Sequence, residues 1–279
     1  MSLLDYDFMQ RALVAAALVG LAAPAVGVFL VQRRLSLMGD GLGHVALTGV
    51  ALGFLLGTAP VLTAVVVATV GAVLIELIRQ YGRTSGDVAL AMLFYGGIAG
   101  GVLLIGLSDS GTNANLLSYL FGSLTSVSPS DLGLIAGLSV TVLLVVAALG
   151  REFFAVSYDE EHARVAGLPV VALNLCTAVM AAVTVTVAMR VVGLLLVSAL
   201  MVVPVAAAQQ LVRGFRSTVL VALLIGVASA VSGVTGSFYA DTAPGALIVV
   251  VALGVFALAS AAAALRRHRP RGPVEEVPA

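Results

Sequence analysis

Two residues that can bind a metal ion, Asp40 and His44, lie four positions apart in a stretch that is otherwise apolar. Residues at i and i+4 share one face of an α-helix, so the carboxylate and the imidazole would project together. An oxygen donor and a nitrogen donor on one face suit a divalent transition metal. The alternative is a structural hydrogen bond between the two side chains. A helix inside a membrane favours the metal site, because ionisable groups there are costly and usually mark a transport pathway.

The number of ligands limits what this pair can do. His162 lies in a charged loop and His268 in the basic tail, so neither can join His44 within one chain. A two-fold dimer with this helix at its axis would supply two carboxylates and two imidazoles, enough for tetrahedral Zn²⁺ or, with waters, for Mn²⁺. The sequence therefore predicts a shared, transient site for a transported ion and no permanently bound cofactor.

The composition places this pair in a membrane protein. Of the 279 residues, 61% are hydrophobic and 10% are charged, against about a quarter charged in soluble domains. Apolar blocks of about 20 residues, the length that spans a bilayer, predict an all-α bundle of about eight or nine crossings. The nine segments are residues 12–31, 41–57, 61–78, 88–107, 132–149, 170–189, 191–211, 219–238 and 246–265. The predicted membrane domain covers residues 1–265, and residues 266–279 form a predicted disordered cytoplasmic tail.

The residue types that are missing exclude several functions. All 14 basic residues are arginine, and a Walker A nucleotide loop needs a lysine on the phosphates. ATP, if it drives this protein, must be bound by a separate chain, so the chain itself is not expected to be an enzyme. Cys176 is the only cysteine, which excludes a disulfide framework and a thiolate metal cluster. The partners expected are lipid and other proteins, with no nucleic acid.

Arginine positions predict the orientation in the membrane. If the nine segments alternate, five arginine-bearing groups fall on one side, which the positive-inside rule assigns to the cytoplasm. The N-terminus is then outside and the C-terminus inside, with Arg190 in an outer hairpin turn. Glu76 is expected to pair with Arg79 near a cytoplasmic end. The five groups are residues 33–34, 79–83, 151–164, 213–216 and 266–271.

Three further segments interrupt the pattern of spans. Leu116 to Thr125 is apolar but too short to cross, which predicts a re-entrant helix or, equally well, an amphipathic helix facing lipid. The charged interval from Tyr158 to Pro169 predicts a short cytoplasmic helix, either a docking element or an ordinary connector. Asp241 on the outer side could attract an incoming cation at the entry, or it could simply belong to a helix-ending turn.

Several segments together resemble the membrane permease subunits of ABC importers for zinc, manganese and iron. The order and spacing of these segments carry the resemblance, which covers most of the chain. Within the family, the zinc-importing branch is the most similar. The segments are residues 33–44 (RRLSLMGDGLGH), 119–122 (YLFG) followed by 128–132 (SPSDL), 192–200 running into 203–206, and the turn at 238–245.

The resemblance implies a permease dimer, most simply a homodimer, with two cytoplasmic ATPase subunits and an extracytoplasmic metal-binding protein. It implies that Asp40 and His44 line the metal path. It also implies that the cytoplasmic interval contacts the ATPase, through Tyr158, Asp159, Glu160, Ala163 and Gly167. The expected cargo is Zn²⁺, and the alternative is Mn²⁺ or Fe²⁺. A secondary transporter that works alone is a less favoured alternative, because Asp40 has almost no other carboxylate within the spans to carry coupling protons.

Overall fold

The computed structural model describes residues 6–82, 86–107, 119–123 and 127–267, and these residues form helices without any strand. The all-α prediction is therefore confirmed for this part of the chain. The helices are α1 (Asp7–Gln32), α2 (Met38–Leu55), α3 (Pro60–Tyr81), α4 (Gly86–Gly106), α5 (Pro129–Tyr158), α6 (Glu160–Val165), α7 (Val170–Ala188), α8 (Leu194–Leu211), α9 (Phe215–Ala240) and α10 (Pro244–Arg267).

Eight of these helices are long and apolar enough to cross a membrane, which confirms the polytopic bundle. The remaining predicted segment, residues 191–211, corresponds to α8, a shorter apolar helix that follows α7 through a tight turn at residues 190–193. That turn lies where the sequence predicts the hairpin. Its Gly193 has a φ of 87°, a left-handed conformation that glycine adopts at no steric cost.

Helix α1 lies at the centre of the bundle, in contact with α5, α7, α8 and α9. Most of its residues are buried, whereas the apolar side chains of α4, α5 and α10 are largely exposed. A helix that exposes an apolar surface faces lipid in a membrane protein, so these three helices form part of the outer wall.

Helix α5 extends beyond its predicted end. The sequence predicts a span that stops at Leu149, before Arg151 and Glu152, but the helix continues to Tyr158. The reason is tertiary: the ring of Phe153 is buried and packs against Phe29 of α1 at a centroid distance of 5.4 Å. Tyr158 is therefore the last residue of a long helix rather than part of a loop.

Ion pairs agree with the alternation of the helices. Asp131, in the first turn of α5, pairs with Arg190 in the turn after α7, so these two helix ends lie together. At the opposite ends of the helices, Glu76 of α3 accepts hydrogen bonds from Arg79, which confirms that predicted pair. The assignment of one end to the cytoplasm stays a prediction from the arginine positions.

Two predictions fall largely on residues that the structure does not describe. Of the segment from Leu116 to Thr125, only residues 119–123 are described, and Tyr119 to Phe121 form a helical turn. The choice between a re-entrant and an amphipathic helix therefore stays open. Helix α10 ends at Arg267, and the rest of the predicted tail, residues 268–279, lies outside the described residues.

Candidate metal site

Helix α2 carries both predicted metal ligands. It begins at Met38, so Asp40 lies in its first turn and His44 one turn later on the same face. A carboxylate in the first turn interacts favourably with the positive end of the helix dipole, which offsets part of the cost of placing Asp40 there. Both residues are partly buried. The structure therefore presents the carboxylate and the imidazole together at one end of α2.

Asp40 and His44 do not form the structural hydrogen bond that the sequence offers as the alternative to a metal site. Within the described part of the chain, no hydrogen bond or ion pair involves the carboxylate of Asp40 or the ring nitrogens of His44. The imidazole instead meets the ring of Phe94 edge to face, with centroids 4.7 Å apart. The structural hydrogen bond between Asp40 and His44 is absent, so the described residues leave the oxygen and nitrogen atoms of both side chains free for a ligand.

Helix α4 holds His44 in place through close backbone contact. A Cβ atom at Gly97 would lie 2.8 Å from the carbonyl carbon of His44 and 2.7 Å from the nitrogen of Val45. The hydroxyl of Thr48 donates to the carbonyl oxygen of Gly97 at 2.8 Å, across the two helices. Sequence reasoning missed Phe94 and Gly97, because nothing in a local pattern shows which glycine of α4 faces α2.

The glycines beside the ligands serve the same packing. A Cβ atom at Gly41 would contact Leu93 of α4 at 3.0 Å, and one at Gly43 would contact Leu194 of α8 at 3.4 Å. Small residues let helix backbones approach closely in a membrane bundle. The glycines around Leu42 therefore allow α4 and α8 to enclose α2, with the ligand pair beside α4.

The described residues provide few possible ligands near one another. Among the residues that the structure describes, no three His, Cys, Asp or Glu side chains come close enough to hold a metal ion. Asp40 and His44 are thus two ligands with no third from the same described chain. Holding an ion firmly would need further ligands from water or from another protein.

The predicted cytoplasmic element is the short helix α6. The carboxylate of Asp159 caps it by accepting a hydrogen bond from the backbone N–H of His162 at 2.9 Å. Gly167, with a φ of 82°, ends the helix in the left-handed conformation that such turns require. Ala163 is buried and anchors α6 to the bundle, whereas the side chain of Tyr158 is exposed.

One exposed apolar residue of α6 was not predicted. Val165 is 88% exposed, at a helix that packs against α5 and α7 on its other side. Glu160, at the start of α6, is paired with Arg164 one turn later at 3.2 Å. A single exposed apolar side chain is common on protein surfaces, so Val165 by itself identifies no partner.

The third predicted site residue, Asp241, has a structural explanation. It is exposed and follows α9 with a φ of 49° and a ψ of 47°. Asp is one of the few non-glycine residues that adopt this left-handed conformation readily. The backbone N–H of Thr242 donates to the carbonyl oxygen of Ser237 across the turn at 3.2 Å. The helix-ending role is present, and the cation-entry role stays a prediction.

Arg190 is held at the end of the bundle opposite α6. Besides its ion pair with Asp131, its guanidinium lies 4.9 Å from the centroid of the Tyr119 ring, a cation-π contact. Burial raises the pKa of Tyr119, so the ring stays neutral. Gly122 and Gly193 pack backbone to backbone beside this cluster. The turn between α7 and α8 is therefore attached to the segment that precedes α5.

Known proteins resemble this chain over nearly its whole length. Residues 5–263 match the model of the family described as the ABC 3 transport family. The manganese transport system membrane protein MntC of Halalkalibacterium halodurans is 34% identical, over 92% of this chain and 88% of that protein. The chelated iron transport system membrane protein YfeD of Yersinia pestis is also 34% identical, over 91% of this chain and 85% of its own length.

A solved structure shows the same fold. The structure of PsaBC from Streptococcus pneumoniae in complex with Fab superimposes with a TM-score of 0.82 and 30% sequence identity, covering 92% of each chain. The match extends from α1 to α10, and its extent confirms the resemblance inferred from the sequence segments. The chain therefore belongs to the ABC 3 transport family and is an integral membrane permease, not itself a catalytic subunit.

Proposed function

We propose that this chain is the permease subunit of an ATP-driven importer that moves a divalent transition metal, Mn²⁺ or iron, across the cell membrane. The observation that carries the proposal is the pair of unpartnered ligands, Asp40 and His44, on one face of a packed helix in a permease of this family. A partly buried carboxylate and imidazole without internal partners are costly to maintain unless a cation uses them.

The relatives favour manganese or iron over the zinc expected from the sequence. MntC and YfeD are named for manganese and for chelated iron, respectively. The ligand types agree with either metal, because carboxylates suit Mn²⁺ and imidazoles suit iron. Mn²⁺ lies at the weak end of the Irving–Williams order, which suits a site that must release its ion into the cell.

The partners follow from the ligand count and from the family. Two permease chains related by a two-fold axis would complete the metal site with a second Asp40 and a second His44. Two ATPase subunits would dock at α6, where Tyr158 and Val165 are exposed. A metal-binding protein would deliver the ion at the opposite end. In this arrangement the N-terminus lies outside and the C-terminus in the cytoplasm, as the arginine positions predict.

The test is metal uptake by the complete transporter in proteoliposomes, with Mn²⁺, Fe²⁺ and Zn²⁺ in competition. Asp40→Asn and His44→Gln should each lower Mn²⁺ or Fe²⁺ uptake at least about tenfold, because each removes one of the few ligands on the path. Asp87→Asn is the matched control, since Asp87 is an exposed carboxylate in the first turn of α4.

Three results would contradict the proposal. Normal uptake by both ligand variants, at wild-type protein levels, would remove Asp40 and His44 from the metal path. Uptake without ATP would favour the secondary transporter. A clear preference for Zn²⁺ would support zinc as the transported ion and exclude manganese and iron.

A further inference from the structure

A cluster of charged side chains joins three elements at the end of the bundle where α6 lies. The charge cluster consists of Arg33, which follows α1, Glu76 and Arg79 near the end of α3, and Glu160 at the start of α6. Within this cluster, Glu76 and Arg79 are joined by hydrogen bonds. Arg79 donates from Nε at 2.9 Å and from Nη2 at 2.6 Å to the two carboxylate oxygens of Glu76, whose side chain is 2% exposed.

Arg33 belongs to the same cluster but lies farther from its carboxylate neighbours than a hydrogen bond allows. Its Nη2 atom lies 4.0 Å from Oε1 of Glu76 and 3.9 Å from Oε2 of Glu160, with the Arg33 side chain only 7% exposed. Both separations exceed a hydrogen bond, which for charged groups is about 2.7–2.9 Å. Among the described residues this buried Nη2 atom has no hydrogen-bond partner. Arg33 is therefore attracted to two carboxylates on different elements and bonded to neither.

Such a position is energetically sensitive to small movements. Burial lowers the pKa of Arg33, and the nearby positive charge of Arg79 lowers it further. An arginine nevertheless stays charged in a protein, so the buried guanidinium needs a partner. A movement of about 1 Å between α6 and Arg33 would bring the Glu160 contact to hydrogen-bonding distance. The Arg33–Glu160 contact can thus exist in a closed form and an open form that differ by a charge-assisted hydrogen bond.

A short hydrogen-bonded turn connects Arg33 to the helix that carries the candidate metal ligands. Helix α1 ends in a Schellman turn, in which the N–H of Leu35 donates to the carbonyl of Leu30 at 2.8 Å and that of Arg34 to Val31 at 3.1 Å. Arg34 adopts the required left-handed conformation, with a φ of 60°. Helix α2 begins at Met38 and carries Asp40 in its first turn. The short connection from Arg33 to the start of α2 is therefore a hydrogen-bonded turn, in which the N–H of Met38 also donates to the carbonyl of Leu35 at 2.9 Å.

We propose that Arg33 is a positioning residue that couples α6 to the metal site, by closing its hydrogen bond to Glu160 in one state of the transport cycle and opening it in another. Glu76, fixed by Arg79, supplies the second carboxylate that keeps the guanidinium in place while the bond to Glu160 is open. This proposal rests on the proposed function, since it requires that an ATPase moves α6.

The test compares metal transport with ATP hydrolysis in proteoliposomes that contain the complete transporter. Arg33→Gln should lower Mn²⁺ uptake at least about tenfold, within the range of measured coupling energies. ATP hydrolysis should stay within about twofold of the wild type, as expected for a site that the change does not touch. The amount of metal that is transported per ATP hydrolysed should therefore fall. An Arg33 that merely supported folding or docking would lower uptake and hydrolysis in proportion, and that result would overturn the proposal, as would unchanged uptake.

A second variant covers the case in which Arg33→Gln fails to fold. Glu160 is 37% exposed, so Glu160→Gln removes the partner carboxylate from a position that tolerates polar substitution. It should likewise lower the metal moved per ATP hydrolysed, whereas a change that affects only ATPase docking would lower uptake and hydrolysis in proportion. The loss in the double variant should be clearly smaller than the product of the two single losses, because both changes remove the Arg33–Glu160 contact, although Glu160 also loses its pair with Arg164. Losses that multiply would show independent effects and contradict the coupling role.

The matched control is Arg34→Gln, the same substitution one residue along the chain. Arg34 is exposed, and glutamine at its left-handed φ is no more strained than arginine, so transport per ATP should equal that of the wild type. The wild-type vesicles test the proposed function separately. Wild-type vesicles without ATP-dependent metal uptake would contradict the proposed function, whereas an active wild type with an equally active Arg33→Gln variant would contradict only the coupling role.

Discussion

Asp40 and His44 have no side-chain hydrogen bond or ion pair with the described residues, in contrast to Glu76 and Asp131. Glu76 is paired with Arg79, Asp131 with Arg190, and these pairs compensate the charges that the bundle encloses. For the two metal ligands the described residues offer no such compensation. In the proposed function, a cation in transit would supply the compensation that the described residues do not.

Asp241 provides a prediction at the residue scale. Asp241→Asn should leave metal uptake unchanged, because asparagine also adopts the left-handed conformation of this turn and only the charge is lost. Asp241→Val should lower the free energy of unfolding by about 1–2 kcal/mol, since a β-branched side chain is strained at a φ of 49°. Thermal unfolding in detergent and uptake in vesicles measure the two effects. Reduced uptake by the asparagine variant at normal stability would instead support the cation-entry role.

At the scale of elements, the position of His44 depends on how closely α4 approaches α2. The close approach rests on Gly97, and the hydrogen bond from Thr48 to the Gly97 carbonyl fixes the register of the two helices. The rings of His44 and Phe94 then meet edge to face. The imidazole is thus positioned by a neighbouring helix and not by a hydrogen bond of its own.

This packing predicts opposite results for two adjacent glycines of α4. Gly97→Ala should destabilise the protein by about 1–3 kcal/mol and reduce metal uptake, because its methyl group would collide with the backbone of α2. At Gly96 no atom lies within 4 Å of an added Cβ. Gly96→Ala should therefore be neutral or stabilise the helix by up to about 1 kcal/mol. The two variants are compared by their thermal unfolding and by their metal uptake. Equal effects of the two changes would show that the α2–α4 contact does not position His44.

At the scale of the whole molecule, one chain contains half of the proposed metal site. Each chain offers one carboxylate and one imidazole at α2, and four ligands need two chains. A site divided between two subunits can be opened by a relative movement of those subunits. Release of the ion would then require no change in the ligands themselves.

The divided site predicts the stoichiometry of binding. The purified permease dimer should bind one Mn²⁺ ion per two chains, because the two-fold axis supplies a single set of four ligands. Titration followed by electron paramagnetic resonance checks this, since the sharp signal of free aqueous Mn²⁺ is lost on binding. His44→Gln should abolish the binding, and Asp87→Asn should preserve it. One ion per chain would show that each permease binds metal independently.

The sequence alone was sufficient for the spans and for placing Asp40 and His44 on one helix. Apolar blocks of spanning length predict helices in a membrane because the backbone must satisfy its hydrogen bonds within each segment. The spacing of Asp40 and His44 predicts a shared face because the helical repeat is a local property. The predicted turn at residues 190–193 and the pair of Glu76 with Arg79 are equally local, and both are confirmed.

Only the tertiary structure decided which side chains meet between distant segments. The extension of α5 depends on contact between Phe153 and Phe29, and the position of His44 depends on Phe94 and Gly97. Likewise, Arg33 lies between Glu76 and Glu160, two carboxylates far apart in the chain. Such contacts depend on the rotation and the register of whole helices. The sequence of a single helix does not determine these, because every apolar face packs acceptably against lipid or against protein. The candidate ligand pair could therefore be proposed from the sequence, whereas its surroundings and its proposed connection to α6 required the fold.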